Sequence, residues 1–334
     1  MSTLDLPNLI HELGRGARGA RPLSRDDTRD LFAAMLADEN APNRISDLEL
    51  GAILIAYRIK GETADELAGM LDACHANLLP LLAPADTHAT PVVIPSYNGA
   101  RKLPNLTPLL ALALAARGIP VLVHGDAADG WGRIASASVF AALGVAACSD
   151  AAEIELALQT RRVAFAPIEL LSPGLARMLA LRDRLGVRGP AHTLVKLIQP
   201  FTTPALRLVN YTHPQYRDEM TRLFLDARIA GEAGVLLARG SEGEAVADAR
   251  RQVAIEWLRG GTATTLVDAA SGTGALPDLP ASRDAEPTAR WIERALADGA
   301  MLPAPLVRQI ETIASICKSN NNTRAASTAR GGDA

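Results

Sequence analysis

The chain has 334 residues, 48% of them hydrophobic and only 4% aromatic, and a net charge of −3; it is long enough to bury a core of Leu, Ala, Val and Ile without covalent staples. Cys74, Cys148 and Cys317 lie far apart with no CxxC pair, and the histidines show no HxxxH spacing, which excludes a disulfide scaffold and a structural zinc and points to a reducing, cytoplasmic setting. The N-terminus shows no basic segment followed by an apolar run, and the longest apolar stretch, Leu106 to Ala116, is too short for a bilayer, so neither a secretory signal nor a membrane role is expected.

From Met1 to about Pro80 the chain reads as helices. Ser24 with Asp27 makes a variant capping box, after which Leu31, Phe32, Met35 and Leu36 share one face. A second helix begins near Ser46. Ile45, Leu48, Ala52, Ile55 and Ile59 form its stripe, but Ile53, Leu54 and Tyr57 make it apolar on other sides too. A helix apolar nearly all round is buried or lies in an interface. Gly61 ends it, and Thr63 with Glu66 caps a third helix bearing Leu67, Met70, Leu71, Cys74 and Leu78.

After about Pro84 short apolar runs alternate with capped helices. Val92–Ile94, Val121–Val123, Val163–Phe165, Leu206–Tyr211 and Val235–Ala238 read as strands. Between them lie a helix opened by Thr107–Pro108 and closed by Gly118, one from Ser136 to Leu143, one opened by Asp150 and Glu153, one from Ser172–Pro173 to Gly186, and one from Pro214. Such alternation predicts an α/β fold with a mainly parallel central sheet covered on both faces. Ser271–Gly274 is glycine-rich but matches no phosphate loop, and reads as a turn. The segment 319–334, polar and low in complexity, is expected to be disordered.

Charge is unevenly spread. From Met1 to Pro91 there are 14 acidic and 8 basic residues. Between Leu156 and Tyr216 only Glu169 and Asp183 oppose Arg161, Arg162, Arg177, Arg182, Arg184, Arg188, Lys196 and Arg207, a balance of +6. This asymmetry fits either a local anion-binding field or a solvated helix face.

The block from Leu23 to Cys74, with KGET…ELAGM as its most specific part, resembles the helical domain of anthranilate phosphoribosyltransferases. The likeness continues through FAP at Phe165, RDRLGVR at Arg182 and LLARGSEGE at Leu236, to about residue 315. PSYNGARK at Pro95, NLTPLLALALAARGIPVLVHG at Asn105 and YTHPQY at Tyr211 are closer still to the YbiB-type paralogues of that family. The resemblance implies a small all-helical dimerisation domain, residues 1–80 with roughly 168–195, and a larger α/β domain, residues 81–167 with roughly 196–318. It also implies binding of DNA or RNA without sequence preference by a homodimer, rather than tryptophan biosynthesis.

Departures from the family pattern support that implication. Enzymes of the family carry a glycine loop whose N–H groups cradle pyrophosphate. Pro95, Ser96, Tyr97, Asn98 and Gly99 stand in its place; proline has no N–H, and tyrosine brings a ring where glycine is needed. Val123, His124, Gly125 and Asp126 replace a segment that holds lysine. The acidic pair that binds magnesium has no adjacent counterpart, because Glu242 and Glu244 are two residues apart. No catalytic residue, metal or cofactor is therefore expected; magnesium belongs only to the alternative, a phosphoribosyl or glycosyl transferase of altered specificity working in the interdomain cleft.

What survives is a ligand cleft of Ser96, Asn98, Gly99, Asn105, Thr107, His124 and Gly125. Asn105 and Thr107 match the polar pair that opens the following helix. That helix N-terminus suits an anion, and simple capping by Thr107–Pro108 explains it equally. Arg182 matches the arginine that touches anthranilate in the enzymes. The phosphate contacts expected for nucleic acid are Arg101, Lys102, Arg133, Arg182, Arg184, Arg188 and Lys196. Trp131, between two glycines, either stacks on a base or folds back over the cleft.

Overall fold

The computed structural model describes residues 4–16, 18–38, 41–42, 44–127, 132–271 and 278–330. The chain divides into two compact units, Met1–Leu79 with Ile168–Pro200 and Pro80–Pro167 with Phe201–Ala334. It opens with α1 (Leu6–Leu13), α2 (Arg25–Leu36), α3 (Asp47–Lys60) and α4 (Ala64–Ala76) of the first unit. The second unit then begins with β1 (Val92–Ser96), α5 (Thr107–Ala115), β2 (Val121–Gly125), α6 (Ser136–Ala142), α7 (Ala151–Arg161) and β3 (Val163–Pro167). The first unit is completed by α8 (Ile168–Leu171), α9 (Pro173–Leu185) and α10 (Ala191–Leu194). The second resumes with β4 (Leu206–Tyr211), α11 (Pro214–Leu225), α12 (Ala227–Ala230), β5 (Val235–Arg239), β6 (Ile255–Arg259), β7 (Thr262–Val267), α13 (Ala285–Ala297) and α14 (Ala304–Arg330).

In the helical unit the caps fall where the sequence places them. Ser24, Ser46 and Thr63 each accept from the backbone N–H three residues on, and the last two complete reciprocal capping boxes with Glu49 and Glu66. Glu66 does more than cap. Fully buried, it also accepts from Leu23 N–H at 3.0 Å and pairs with Lys60, so one carboxylate ties the entry of α2 to the start of α4. The helix predicted from Ser46 is α3, ended by Gly61 as expected. Ile53, Leu54 and Tyr57 are the residues that face the unit's interior, at 0–3% exposure. Leu48, Ile55 and Ile59, members of the apolar stripe, are exposed at 84%, 39% and 60%. Both sides of α3 are apolar, and the unit has interior for only one of them.

The α/β unit holds a seven-stranded sheet in the order β3-β2-β1-β4-β5-β6-β7. The first five strands are parallel and buried on both faces; β6 and β7 are antiparallel. Val92, Ile94, Val121, Val123 and Phe165 pack against Leu109, Leu110, Leu114 and Phe140 in the core. Continuous aliphatic runs suit this environment because neither strand face meets water. The β6–β7 hairpin turns on Gly260–Gly261, both at positive φ. Residues from Ser319, expected to be disordered, continue α14 as backbone helix to Arg330, although the last buried side chain described is Cys317. The cysteines are free and buried. Among the described residues no helix is long and apolar enough to cross a membrane.

Candidate functional site

The loop after β1 is held on both sides by side chains of its own unit. Glu244, 2% exposed, accepts from Asn98 N–H and Gly99 N–H through one oxygen, both at 2.7 Å, while its other oxygen faces the Thr107 hydroxyl at 3.5 Å. Glu242 accepts from Arg101 N–H at 2.7 Å, Lys102 N–H at 3.0 Å and Leu103 N–H at 3.2 Å. Burial pushes the Glu242 carboxyl up, and the three backbone donors outweigh it, so the group titrates below its usual range. On the carbonyl side Arg133 donates to Asn98 and Arg283 to Ala100 and Arg101. The backbone donors that form an anion cradle in such a loop are thus spent on two carboxylates from the loop after β5.

That second loop is shaped for the task. Glu242 adopts a left-handed φ of 52°, and Gly243 follows at 91°. The Gly243 carbonyl accepts from the Asn98 and Asn210 amides at 2.5 and 2.8 Å, and a Cβ on Gly243 would collide with the Asn98 side chain. A magnesium ion does not fit here, since both carboxylates point at N–H donors instead of an open coordination position.

Below this latch the expected cleft residues are brought together. The Ser96 and Ser136 hydroxyls lie 2.7 Å apart, and Asn105 Nδ2 donates to Ser136 at 3.0 Å. Thr107 does not cap α5: the N-cap position is Leu106, Oδ1 of Asn105, the residue before it, accepts from Thr107 N–H at 3.1 Å, and the Thr107 hydroxyl turns to Glu244. The reason is that Asn105 reaches that N–H from two residues upstream, leaving threonine free for the buried carboxylate. His124, fully buried at the end of β2, shares a 2.7 Å hydrogen bond with Tyr97 Oη through Nδ1, and its Nε2 has no partner among the described residues. Burial lowers its pKa to about 3, so the imidazole is neutral. Gly125 pairs with Ser96 in register, and any side chain there would strike the Ser96 carbonyl.

The basic central segment splits in two. Arg207 is buried on β4, donates to the Ile229 and Ala230 carbonyls at the end of α12, and titrates at about 10 because of burial. Arg177 donates to the Leu36 and Ala37 carbonyls that end α2, Arg161 to the Val163 carbonyl, and Arg162 pairs with Asp86. These four cations serve the fold, so the +6 balance overstates the field available to a partner. Arg184, at the end of α9, lies 3.8 Å from Asp47. Arg182 and His192 line one small pocket with Leu54 and Met178, and the pKa of His192 falls to about 4 through burial first and then through the charges of Arg188, Arg182 and Lys196.

The expected phosphate contacts therefore fall in both units: Arg182, Arg184, Arg188 and Lys196 in the helical one, Arg101, Lys102 and Arg133 in the other. Trp131 lies outside the described residues. Sequence reasoning took Glu242 and Glu244 only as a broken metal pair and passed over Arg283, Asp248 and His192. The signal for the latch was present as two glutamates alternating with glycine in GSEGE, but nothing local names their partners 137–146 positions away.

Residues 7–77 match the family described as "Glycosyl transferase family, helical bundle domain". The chain is 40% identical over 308 residues to the uncharacterized protein YbiB of Escherichia coli K12, covering 92% of each. It is 30% identical to an anthranilate phosphoribosyltransferase of Methylocella silvestris over 69% of this chain and 62% of that one. Its fold matches anthranilate phosphoribosyltransferase of Thermus thermophilus (TM-score 0.66, 20% identity, 95% of each chain). It also matches that of Saccharomyces cerevisiae in complex with PRPP and Mg (TM-score 0.65, 13% identity, 96% and 95%). The fold and these relatives define the class as anthranilate phosphoribosyltransferase-like. The chain belongs to its YbiB-type branch.

Proposed function

We propose that this chain is a non-enzymatic, homodimeric protein that binds DNA or RNA through backbone phosphates, without strong sequence preference. The observation that carries the reading is the run of cations Arg182, Arg184, Arg188 and Lys196 at and after the end of α9, all in the helical unit, with Asp183 the only acid between them. A cluster of this kind attracts a polyanion whatever its bases. The latched loop supports the same reading, since a backbone cradle already filled by carboxylates is closed to pyrophosphate. Leu48, Ile55 and Ile59 are the surface assigned to the twin subunit. A dimer presents the cluster twice, so long strands gain over short ones.

Fluorescence anisotropy against salt tests the reading. Affinity should fall linearly on a log–log plot, by about 0.9 per phosphate contact on duplex DNA and about 0.7 on single strands. Replacing Arg182 and Arg188 by alanine should weaken all sequences alike and flatten the slope. Wild type that shows no binding at low salt ends the proposal.

A second reading, a transferase of altered specificity, draws support from the gathering of Ser96, Asn105, Thr107 and His124 at the ends of β1 and β2, and from the names of the relatives. Saturable binding of phosphoribosyl pyrophosphate with magnesium at low micromolar concentration would select it.

A further inference from the structure

Beside the latch, outside the C-terminal ends of β4 and β5, lies a cleft of about 280 Å³. Ligands of open α/β sheets bind at such strand ends, because loops diverge there and leave a crevice. Four cations line this one: Lys102 from the loop after β1, Arg239 at the end of β5, and Arg250 and Arg251 beyond the latch. Thr212 and Ser241 add hydroxyls.

Two carboxylates also line the cleft, and both are already engaged. Glu242 is bonded to three backbone N–H groups. Asp248, 4% exposed, takes Arg250 by a two-pronged pair at 2.9 and 2.9 Å and Arg251 at 3.4 Å. A guanidinium has five N–H donors in a rigid fork, so a buried carboxylate that takes two of them fixes the plane and leaves the rest for a ligand. Asp248 thereby positions Arg250. With four cations against two acids the cleft carries a net excess of two positive charges. A fork oriented in this way beside hydroxyls matches the tetrahedral oxygens of phosphate.

We propose that this cleft is a phosphate-binding pocket, with Lys102, Arg239, Arg250 and Arg251 as its ligands, and that its occupant is a backbone phosphate of the bound polynucleotide. The chain has closed the old backbone cradle with its own glutamates and placed a side-chain site at its rim. The choice of occupant rests on the polynucleotide reading; the phosphate chemistry does not.

The test uses the full chain and a Lys102→Ala, Arg239→Ala double variant, which leaves the Asp248 pairs intact. One arm titrates long oligo(dT) against salt; the other follows thermal unfolding with inorganic pyrophosphate. If the pocket holds a backbone phosphate, the double variant binds oligo(dT) more weakly, with a log–log slope shallower by up to about 0.7, the share of one phosphate. If oligo(dT) does not bind at all, the polynucleotide reading falls; pyrophosphate that stabilises wild type but not the variant then upholds the pocket with free phosphate as its source. Oligo(dT) binding that is identical in both proteins, with no pyrophosphate stabilisation, overturns the pocket and leaves the polynucleotide reading standing. Neither oligo(dT) binding nor pyrophosphate stabilisation in wild type overturns both.

Discussion

Glu244→Ala removes the centre of the latch. Its carboxylate accepts two backbone N–H bonds at 2.7 Å in a site only 2% exposed. Hydrogen bonds to a charged group contribute about 1.5–3 kcal/mol each, and a buried donor left unsatisfied costs about 1–3 kcal/mol. With two donors orphaned, a loss of roughly 3–5 kcal/mol is expected, a large share of the ~5–15 kcal/mol that holds a typical domain. Glu244→Gln keeps an acceptor oxygen for both N–H groups and an amide for the Thr107 hydroxyl, so its cost should be about 1–2 kcal/mol. Urea unfolding followed by tryptophan fluorescence reads the α/β unit, to which Trp257 and Trp291 belong. Acetate should partly restore the alanine variant by entering the vacated position, raising its melting temperature with concentration while leaving wild type unchanged. A loss below about 1 kcal/mol in Glu244→Ala would show that the latch contributes nothing the solvent cannot replace.

Other expectations follow from the same geometry. His124 and His192 titrate at about 3 and about 4 when folded, below the 6.5 of a free imidazole, so between those values the unfolded chain binds more protons. Stability should therefore fall as pH drops below about 6.5, by up to about 1.4 kcal/mol per unit for each group, and His124→Gln should remove part of that slope. A stability flat from pH 7 to 5 would show that neither imidazole is held neutral. Gly243→Ala should destabilise by about 1–3 kcal/mol, since the left-handed turn and the Asn98 contact both resist a Cβ; thermal unfolding measures it. Leu48→Glu with Ile59→Glu should yield folded monomers in light scattering, whereas Ile53→Glu should unfold the helical unit; a wild type already monomeric at micromolar concentration would refute the assigned interface.

Much of the candidate site was legible. Strand ends and following loops are marked by local composition, and Ser96, Asn98, Asn105, Thr107 and His124 do meet. The capping of α5 was misread because Thr107–Pro108 satisfies the local rule, while a carboxylate far along the chain claims the hydroxyl. The β6–β7 hairpin had its own signal, a Gly-Gly pair between IEWLR and TATTLV. The basic segment misled for a different reason: arginine serves equally well to cap a helix end from inside the fold and to meet phosphate outside it, as Arg177 and Arg207 show.

By itself the sequence determined what depends on neighbours a few residues apart. That includes the caps at Ser24, Ser46, Thr63 and Asp150, the aliphatic strands of a parallel sheet, the free cysteines and the loss of a glycine cradle after β1. Only the tertiary structure decided which face of α3 lies inside, which arginines are spent on carbonyls, and that Glu242 and Glu244 fill the cradle from within. The physical reason is reach. Periodicity and capping are set by hydrogen bonds and side chains within one or two turns, whereas a carboxylate's partner is set by which loops the sheet order brings side by side, and β1 and β5 are separated in that order only by β4.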